Sequence, residues 1–306
     1  MTSVVSDEVR AAVAGGRPVV ALESAIITHG LPRPTNLEVA AELERRLRDT
    51  GVVPATVGVI DGVPTVGLTA AQLGHLATVE QAGKASVRDL PVAAARRAMA
   101  GTTVAATAWL ARRAGIAVFA TGGIGGVHRG AAQSFDESAD LPVLARTAIT
   151  VVCAGVKSIL DVPATLERLE TLGVTVLGYG TDHFPGFYVT DSGCPVPARV
   201  DGPAEVAAVM QSASALDLPG AILVANPVPA TEQLDPAVHA AAIDEALAAA
   251  GREGVTGAAL TPFLLDRLLR ITGGASMAAN LAAVRNNVSV AAAVATAWAA
   301  FSQGNP

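Results

Sequence analysis

Along the chain, short unbroken apolar runs alternate with longer stretches in which apolar residues recur every three or four positions. Unbroken runs of four to eight residues fit strands covered on both faces, and the longer spacing fits helices with one buried side. The pattern predicts a short helix over Ser6–Ala14 and a buried strand over Pro18–Glu23. Thr35 and Glu38 stand at capping-box spacing and open a helix carrying Leu37, Ala40, Leu43 and Leu47 on one side. Ala55–Ile60 and Val63–Leu68 flank Asp61-Gly62, a pair that accepts the positive φ of a tight turn, so they predict a hairpin. Thr69–Ala82 reads as helix, and Val92–Gly115 as two helical stretches broken near Gly101.

Further along, Ile116–Thr121 and Ile149–Ala154 are buried strands, the second followed by a helix through Leu172. Val174–Gly178 and Ala221–Asn226 are further strands, and residues 235–253, 262–272 and 276–301 are helical. Strand–helix alternation over the whole length predicts an α/β fold, with a sheet covered on both faces and made mixed by the hairpin. No linker or low-complexity segment divides the chain, so residues 1–306 are expected to form a single domain.

Composition narrows the function classes. Apolar residues make up 51% of the chain and charged ones 16%, ample for a large core. Aromatics are only 3% and the net charge is −6, which argues against a basic, base-stacking surface for polymeric nucleic acid. A small anion remains compatible, because a few backbone N–H groups and one or two cations suffice to hold a phosphate. The two cysteines, Cys153 and Cys194, show no metal-type spacing, which suits a reducing, cytoplasmic setting. The start Met1-Thr2-Ser3 lacks a basic and then apolar leader, and the apolar tail Val288–Phe301 is too short to span a bilayer.

In open α/β sheets, ligands collect at the carboxyl ends of strands. Four such ends carry unusual polar content. Glu23 closes an apolar run, where it is either a general acid with a raised pKa or a structural acceptor of backbone hydrogen bonds. The loop Gly122-Gly123-Ile124-Gly125-Gly126 fails the dinucleotide fingerprint, since His128 occupies the third glycine position counted from Gly123. It is either a close-approach backbone for a ligand or a turn that needs positive φ. Asp136, Glu137 and Asp140 cluster beside Ser138, which suits a hydrated divalent cation, although a solvated acidic turn is the more common reason for such a cluster. Lys157 follows the strand Ile149–Ala154 at the expected first turn of a helix, whose positive end favours the neutral, nucleophilic amine that a Schiff base requires. Lys84 lies outside any amphipathic pattern and is either an ordinary surface lysine, the default reading, or a cation that holds a phosphate. Asn280 and the pair Asn286-Asn287 interrupt an apolar final helix and need partners, in the site or in packing. His75 falls within a helix and reads as structural.

Taken in order, several motifs resemble those of the pseudouridine-5′-phosphate glycosidase family, also called indigoidine-synthase-A-like. They are Ala21-Leu22-Glu23-Ser24, Ile27-Thr28-His29-Gly30, Gly101-Thr102-Thr103-Val104-Ala105 and the run Thr121 to Gly130. Cys153-Ala154-Gly155-Val156-Lys157-Ser158-Ile159-Leu160-Asp161, Thr261-Pro262-Phe263-Leu264-Leu265 and Thr272-Gly273-Gly274 complete the match, over roughly residues 5 to 300. Two positions depart from the pattern: Met277 stands where leucine is frequent, and Val87 where a second basic residue is common.

The resemblance implies a three-layer α/β/α sandwich with a central mixed, mostly parallel sheet, assembled as a homotrimer. It implies reversible cleavage of pseudouridine 5′-phosphate to uracil and ribose 5-phosphate, with Glu23 as proton donor and Lys157 as nucleophile. It places Lys84, Val104, Ser138, Ala139 and Asp140 against the substrate and manganese (Mn²⁺) at Asp136. His128 lies in the motif that carries the resemblance and joins the expected substrate site with Asn280. Competing expectations are another sugar-phosphate Schiff-base lyase, a nucleotide N-glycosidase, or a nucleotide-binding protein without turnover. A Rossmann dehydrogenase is disfavoured by the broken glycine fingerprint.

Overall fold

The computed structural model describes residues 3–255 and 260–304, so Met1-Thr2, part of the expected leaderless start, lie outside the described residues. Eleven strands form one sheet: β1 (Val4–Val5), β2 (Val19–Leu22), β3 (Val53–Ile60), β4 (Val63–Val66), β5 (Gly83–Ala85), β6 (Ala100–Thr102), β7 (Val118–Ala120), β8 (Thr150–Cys153), β9 (Thr175–Tyr179), β10 (Arg199–Val200) and β11 (Ile222–Ala225). The main path runs β1-β4-β3-β2-β7-β8-β11-β9-β10. From β3 through β2 to β10 every pairing is parallel. Only β4 and β6 run antiparallel to their neighbour β3.

Alternation along each strand sends side chains to two cores. Ala21, Phe119, Val151, Cys153 and Leu223 face one side, under helices that include Val104–Arg113 and Pro236–Glu253. Val20, Leu22, Val118, Val152 and Val224 face the other, against Val39, Leu43 and Leu47 of helix Thr35–Asp49 and Val284, Val288 and Ala291 of helix Ala275–Gly304. Each fully buried Val or Leu contributes about 1.5–3 kcal/mol, so both faces hold the sheet. This is the expected three-layer α/β/α sandwich.

The long strand β3 creates the site. Its first half, Val53–Thr56, pairs with β2, and its second half pairs with β6 through Gly58 and Val59. Because β4 covers the second half's other edge, β2 and β6 follow one another along the same edge of β3. At the junction Ser24 Oγ donates to Val57 O at 2.6 Å and accepts from Thr102 N at 2.9 Å. The chain therefore diverges just beyond Leu22, at the carboxyl end of β2.

Several sequence expectations need correction. Thr35 is the first residue of its helix rather than its cap, and its side chain makes no capping bond. The stretch over Thr69–Ala82 ends as helix at Thr78, and β5 follows it. The supposed break near Gly101 is strand β6, between helices Leu90–Ala95 and Val104–Arg113. Lys157 does not open a helix: it lies in a loop, and helix Val162–Thr171 starts beyond it, capped by Asp161.

Candidate active site

Loops from five strand ends converge beyond β2, β5, β6, β7 and β8. Glu23 leaves β2 half-buried, backed by a cavity of about 10 Å³ walled by Leu22, Ile26, Ile27 and Leu43. Thr121, the residue after β7, donates its hydroxyl to Glu23 Oε1. Burial raises the Glu23 pKa, opposed first by the Lys157 ammonium and then by the Thr121 hydrogen bond; Asp140 reinforces the rise and Lys84 opposes it. Burial around its ammonium holds Lys84 below the ordinary lysine range, with Lys157 adding repulsion and Glu23 and Asp140 opposing. His29 is lowered as well, by burial first and by Lys84 second. Glu23, Lys84, Lys157 and Asp140 thus share one electrostatic environment, although well over 100 residues of chain separate the first from the last of them.

What holds Lys157 is backbone pairing between two loops. Ala154 N donates to Gly122 O at 2.8 Å, Ile124 N to Gly155 O at 3.0 Å, and Lys157 N to Ile124 O at 3.1 Å. The β7–β8 pairing is thereby continued past the sheet, carrying Lys157 beside the glycine loop. Glycine is required at several positions there, two of them beside site residues or aromatic packing. A methyl group at Gly125 would overlap Ser138 Oγ, and one at Gly123 would lie 2.5 Å from the Phe187 ring.

Asp140 is 5% exposed, and both its oxygens are engaged: Oδ1 accepts from Ala105 N at 2.9 Å and Oδ2 from Gly125 N at 2.8 Å. Here it ties the first turn of helix Val104–Arg113 to the glycine loop. Val104 is the first residue of that helix, and Thr103 before it makes no side-chain cap. The Thr103 hydroxyl is buried without a hydrogen-bond partner among the described residues. Ser138 N donates to Gly126 O and Ser138 Oγ accepts from Asp140 N, whereas Ala139 is exposed. Asn280 Oδ1 lies 3.2 Å from where a Cβ on Gly122 would sit, so it faces the glycine loop.

Asp136 and His128 sit together on the adjoining turn, Nδ1 to Oδ2 3.9 Å, and Glu137 is paired with Arg168 at 2.9 Å. No group of three His, Cys, Asp or Glu side chains among the described residues could enclose a metal. The donor set fits a largely hydrated hard cation resting on Asp136, not an all-protein cage.

Sequence reasoning did not single out Thr121 as a site residue, although a polar side chain between an apolar strand and a glycine loop is a usable signal. It offered Asn287 only as one of three asparagines, with Asn280 and Asn286, any of which could face the site or serve packing. Asn287 is fully buried, and its Nδ2 donates to Thr121 O at 2.8 Å and Gly122 O at 3.3 Å. Its neighbour Asn286 donates to Pro227 O at 3.0 Å instead.

Known proteins resemble this chain in sequence and in fold. A protein of Saccharopolyspora erythraea named pseudouridine-5′-phosphate glycosidase is 60% identical over 296 residues, 97% of this chain and 98% of the relative. One of the same name from Streptomyces griseus is 60% identical over 295 residues, covering 96% and 91%. Among solved structures, the prealnumycin C-glycosynthase AlnA in complex with ribulose 5-phosphate superposes with a TM-score of 0.92 at 40% identity, covering 98% of both chains. An indigoidine synthase A-like protein of Thermotoga maritima superposes with a TM-score of 0.86 at 33% identity, covering 96% of both. The profile of the family described as "Indigoidine synthase A like protein" matches residues 8–297, and the chain belongs to that family.

Proposed function

We propose that this protein interconverts pseudouridine 5′-phosphate and water with uracil and ribose 5-phosphate, by making and breaking a C–C glycosidic bond. The observation that carries the reading is the meeting of Lys157 with Glu23, whose raised pKa suits a general acid, at converging strand ends. The names of the relatives at 60% identity support the substrate.

The leaving atom is a carbon, so simple departure of the base would generate a poor carbanion. Opening the sugar first avoids this. The Lys157 amine forms a bond to C1′ as the C1′–O4′ bond breaks, and O4′ takes the Glu23 proton. The ammonium formed on the Lys157 nitrogen gives up a proton and the uracil carbon gains one, after which the C1′–C pair returns to the uracil ring while the nitrogen lone pair completes an iminium. One water hydrolyses the iminium, releasing ribose 5-phosphate, the free amine and a proton that restores Glu23. Lys84 and the N-terminus of helix Val104–Arg113, with the unpartnered Thr103 hydroxyl, suit the phosphate, whose remote binding energy holds the sugar in place. Asn280 and the glycine loop suit the base. Manganese held by Asp136, with most of its waters, would supply positive charge that organises the anionic substrate. His128 lies against that carboxylate, and Ser138 and Ala139 line the same turn. The assembly expected with this family is a homotrimer.

The test is chromatography of pseudouridine 5′-phosphate with the purified protein, with Mn²⁺ and with chelator, and of uracil plus ribose 5-phosphate in reverse. Metal-dependent conversion both ways, with uridine 5′-phosphate untouched, is expected. Lys157→Ala should abolish turnover, and borohydride should trap a ribose-phosphate mass on Lys157. Cleavage of uridine 5′-phosphate, or an adduct on another lysine, would overturn the assignment.

A further inference from the structure

Three buried polar residues outside the proposed chemistry form a chain that ends on the proposed acid. Asn226 follows β11, is 4% exposed, and its Nδ2 donates to Asn287 Oδ1 at 2.9 Å. Asn226 N donates to Cys153 O at 2.8 Å, anchoring it to the end of β8. Asn287, on the C-terminal helix, spends both amide hydrogens on the carbonyls of Thr121 and Gly122. Thr121 N donates to Val152 O at 3.0 Å, and the Thr121 hydroxyl donates to Glu23 Oε1. Each polar group of Asn287 and each end of Thr121 is therefore committed. An apolar packing role explains none of this, because a buried amide without partners costs about 1–3 kcal/mol.

We propose that Thr121 is a positioning residue for Glu23, held in register by Asn287 and Asn226: its hydroxyl occupies Oε1, so the transferable proton is confined to Oε2. A neutral carboxyl carries one proton on either oxygen, and an oxygen already accepting a hydrogen bond is the poorer place for it. With Oε1 occupied, the acid has one donor direction, and no reorientation is needed when O4′ departs. This rests on the reading of Glu23 as general acid.

The hydroxyl also stabilises the carboxylate, as do Lys157 and Lys84, while burial and Asp140 oppose it. Those charged groups reach Glu23 from the loop after β8 (Lys157), from β5 itself (Lys84) and from the start of the short helix Asp140–Leu144 (Asp140). Removing the hydroxyl therefore raises the acid's pKa, and the basic limb of a cleavage rate profile moves to higher pH. Loss of orientation simultaneously lowers the plateau.

The experiment compares the pH dependence of kcat and KM for pseudouridine 5′-phosphate cleavage in the wild type, Thr121→Val, Thr121→Ser, Asn287→Asp and Glu23→Gln, with thermal melts confirming folding. Thr121→Val is expected to lower kcat about tenfold or more, leave KM within about twofold, and shift the basic limb upward. Thr121→Ser restores both, and Asn287→Asp, which can keep at most one of the two donations to the Thr121 and Gly122 carbonyls, lowers kcat with the hydroxyl still present. A folded Thr121→Val with the wild-type limb and plateau, alongside an inactive Glu23→Gln, overturns the positioning role alone. An active Glu23→Gln overturns the acid assignment beneath it.

Discussion

Glu23 shows how a single position balances stability against chemistry. Its folded pKa is raised, chiefly by burial, so ionisation is harder in the folded chain than in the unfolded one. A carboxyl of this kind contributes stability below its unfolded pKa and loses that contribution as pH rises through the folded value. At neutral pH this raised pKa is a cost to folding. Glu23→Gln, which keeps an acceptor for Thr121, should therefore melt higher than the wild type at pH 7, with the gain shrinking as pH falls through the raised folded value and gone below about pH 4.5. The same variant should lose at least about a hundredfold in turnover. A melting temperature at or below the wild type across that range would show that attraction to Lys157 outweighs burial. Sequence reading reached Glu23 from an acidic residue ending an apolar run. It did not reach Thr121 or decide between Asn286 and Asn287, because neighbours on a helix differ in direction by about 100° and only the packed helix tells which turns inward.

At the scale of elements, long periodic segments were legible and short ones were not. The hairpin at Asp61-Gly62 forms as expected, with Ile60 paired to Val63 and both turn residues at positive φ. Strands β5 and β6, three residues each, carry no period, and their pairing joins residues from distant parts of the chain. The strand–helix alternation puts Lys157 at the first turn of a helix after the strand Ile149–Ala154, whereas the helix starts only at Val162. Pairing with the glycine loop holds the first residues after that strand extended instead, so the environment of Lys157 comes from neighbouring charges and loops rather than a helix end. The helix Thr35–Asp49 illustrates a contact between elements that no local pattern shows. Glu42 bonds Arg46 in its own helix at 2.7 Å and takes Arg285 of the C-terminal helix at 2.9 and 2.7 Å. The Arg285 hydrogen bonds, first, hold its pKa down to about 2. A lowered carboxyl stabilises above its unfolded pKa and loses that contribution as pH falls through the folded value. Glu42→Gln should cost about 1 kcal/mol at neutral pH, reduced from a buried pair by solvent screening. Chemical denaturation should find that difference intact above pH 4.5 and gone as pH approaches about 2; a difference independent of pH would assign it to packing.

On the scale of the whole molecule, the sheet brings Glu23, Lys84, Asp140 and Lys157 into one electrostatic environment, while Phe135 remains 86% exposed and Leu216 70% exposed. Assembly with further copies would cover such side chains, in keeping with the proposed homotrimer. Light scattering should then return three times 30.6 kDa at micromolar concentration, and a stable single-chain mass would remove the assembly from the reading. No helix among the described residues is long and apolar enough to cross a membrane, as the tail Val288–Phe301 led us to expect. The sequence by itself determined the fold class, the family and most polar residues at strand ends, because apolar periodicity and contiguous motifs are local properties that survive in one dimension. Tertiary structure alone decided that β2 and β6 share an edge of β3, that Asp140 fastens two loops, and that Asn226, Asn287 and Thr121 end on Glu23. Those are pairings between residues far apart in the chain, and their partners exist only once the sheet has closed around them.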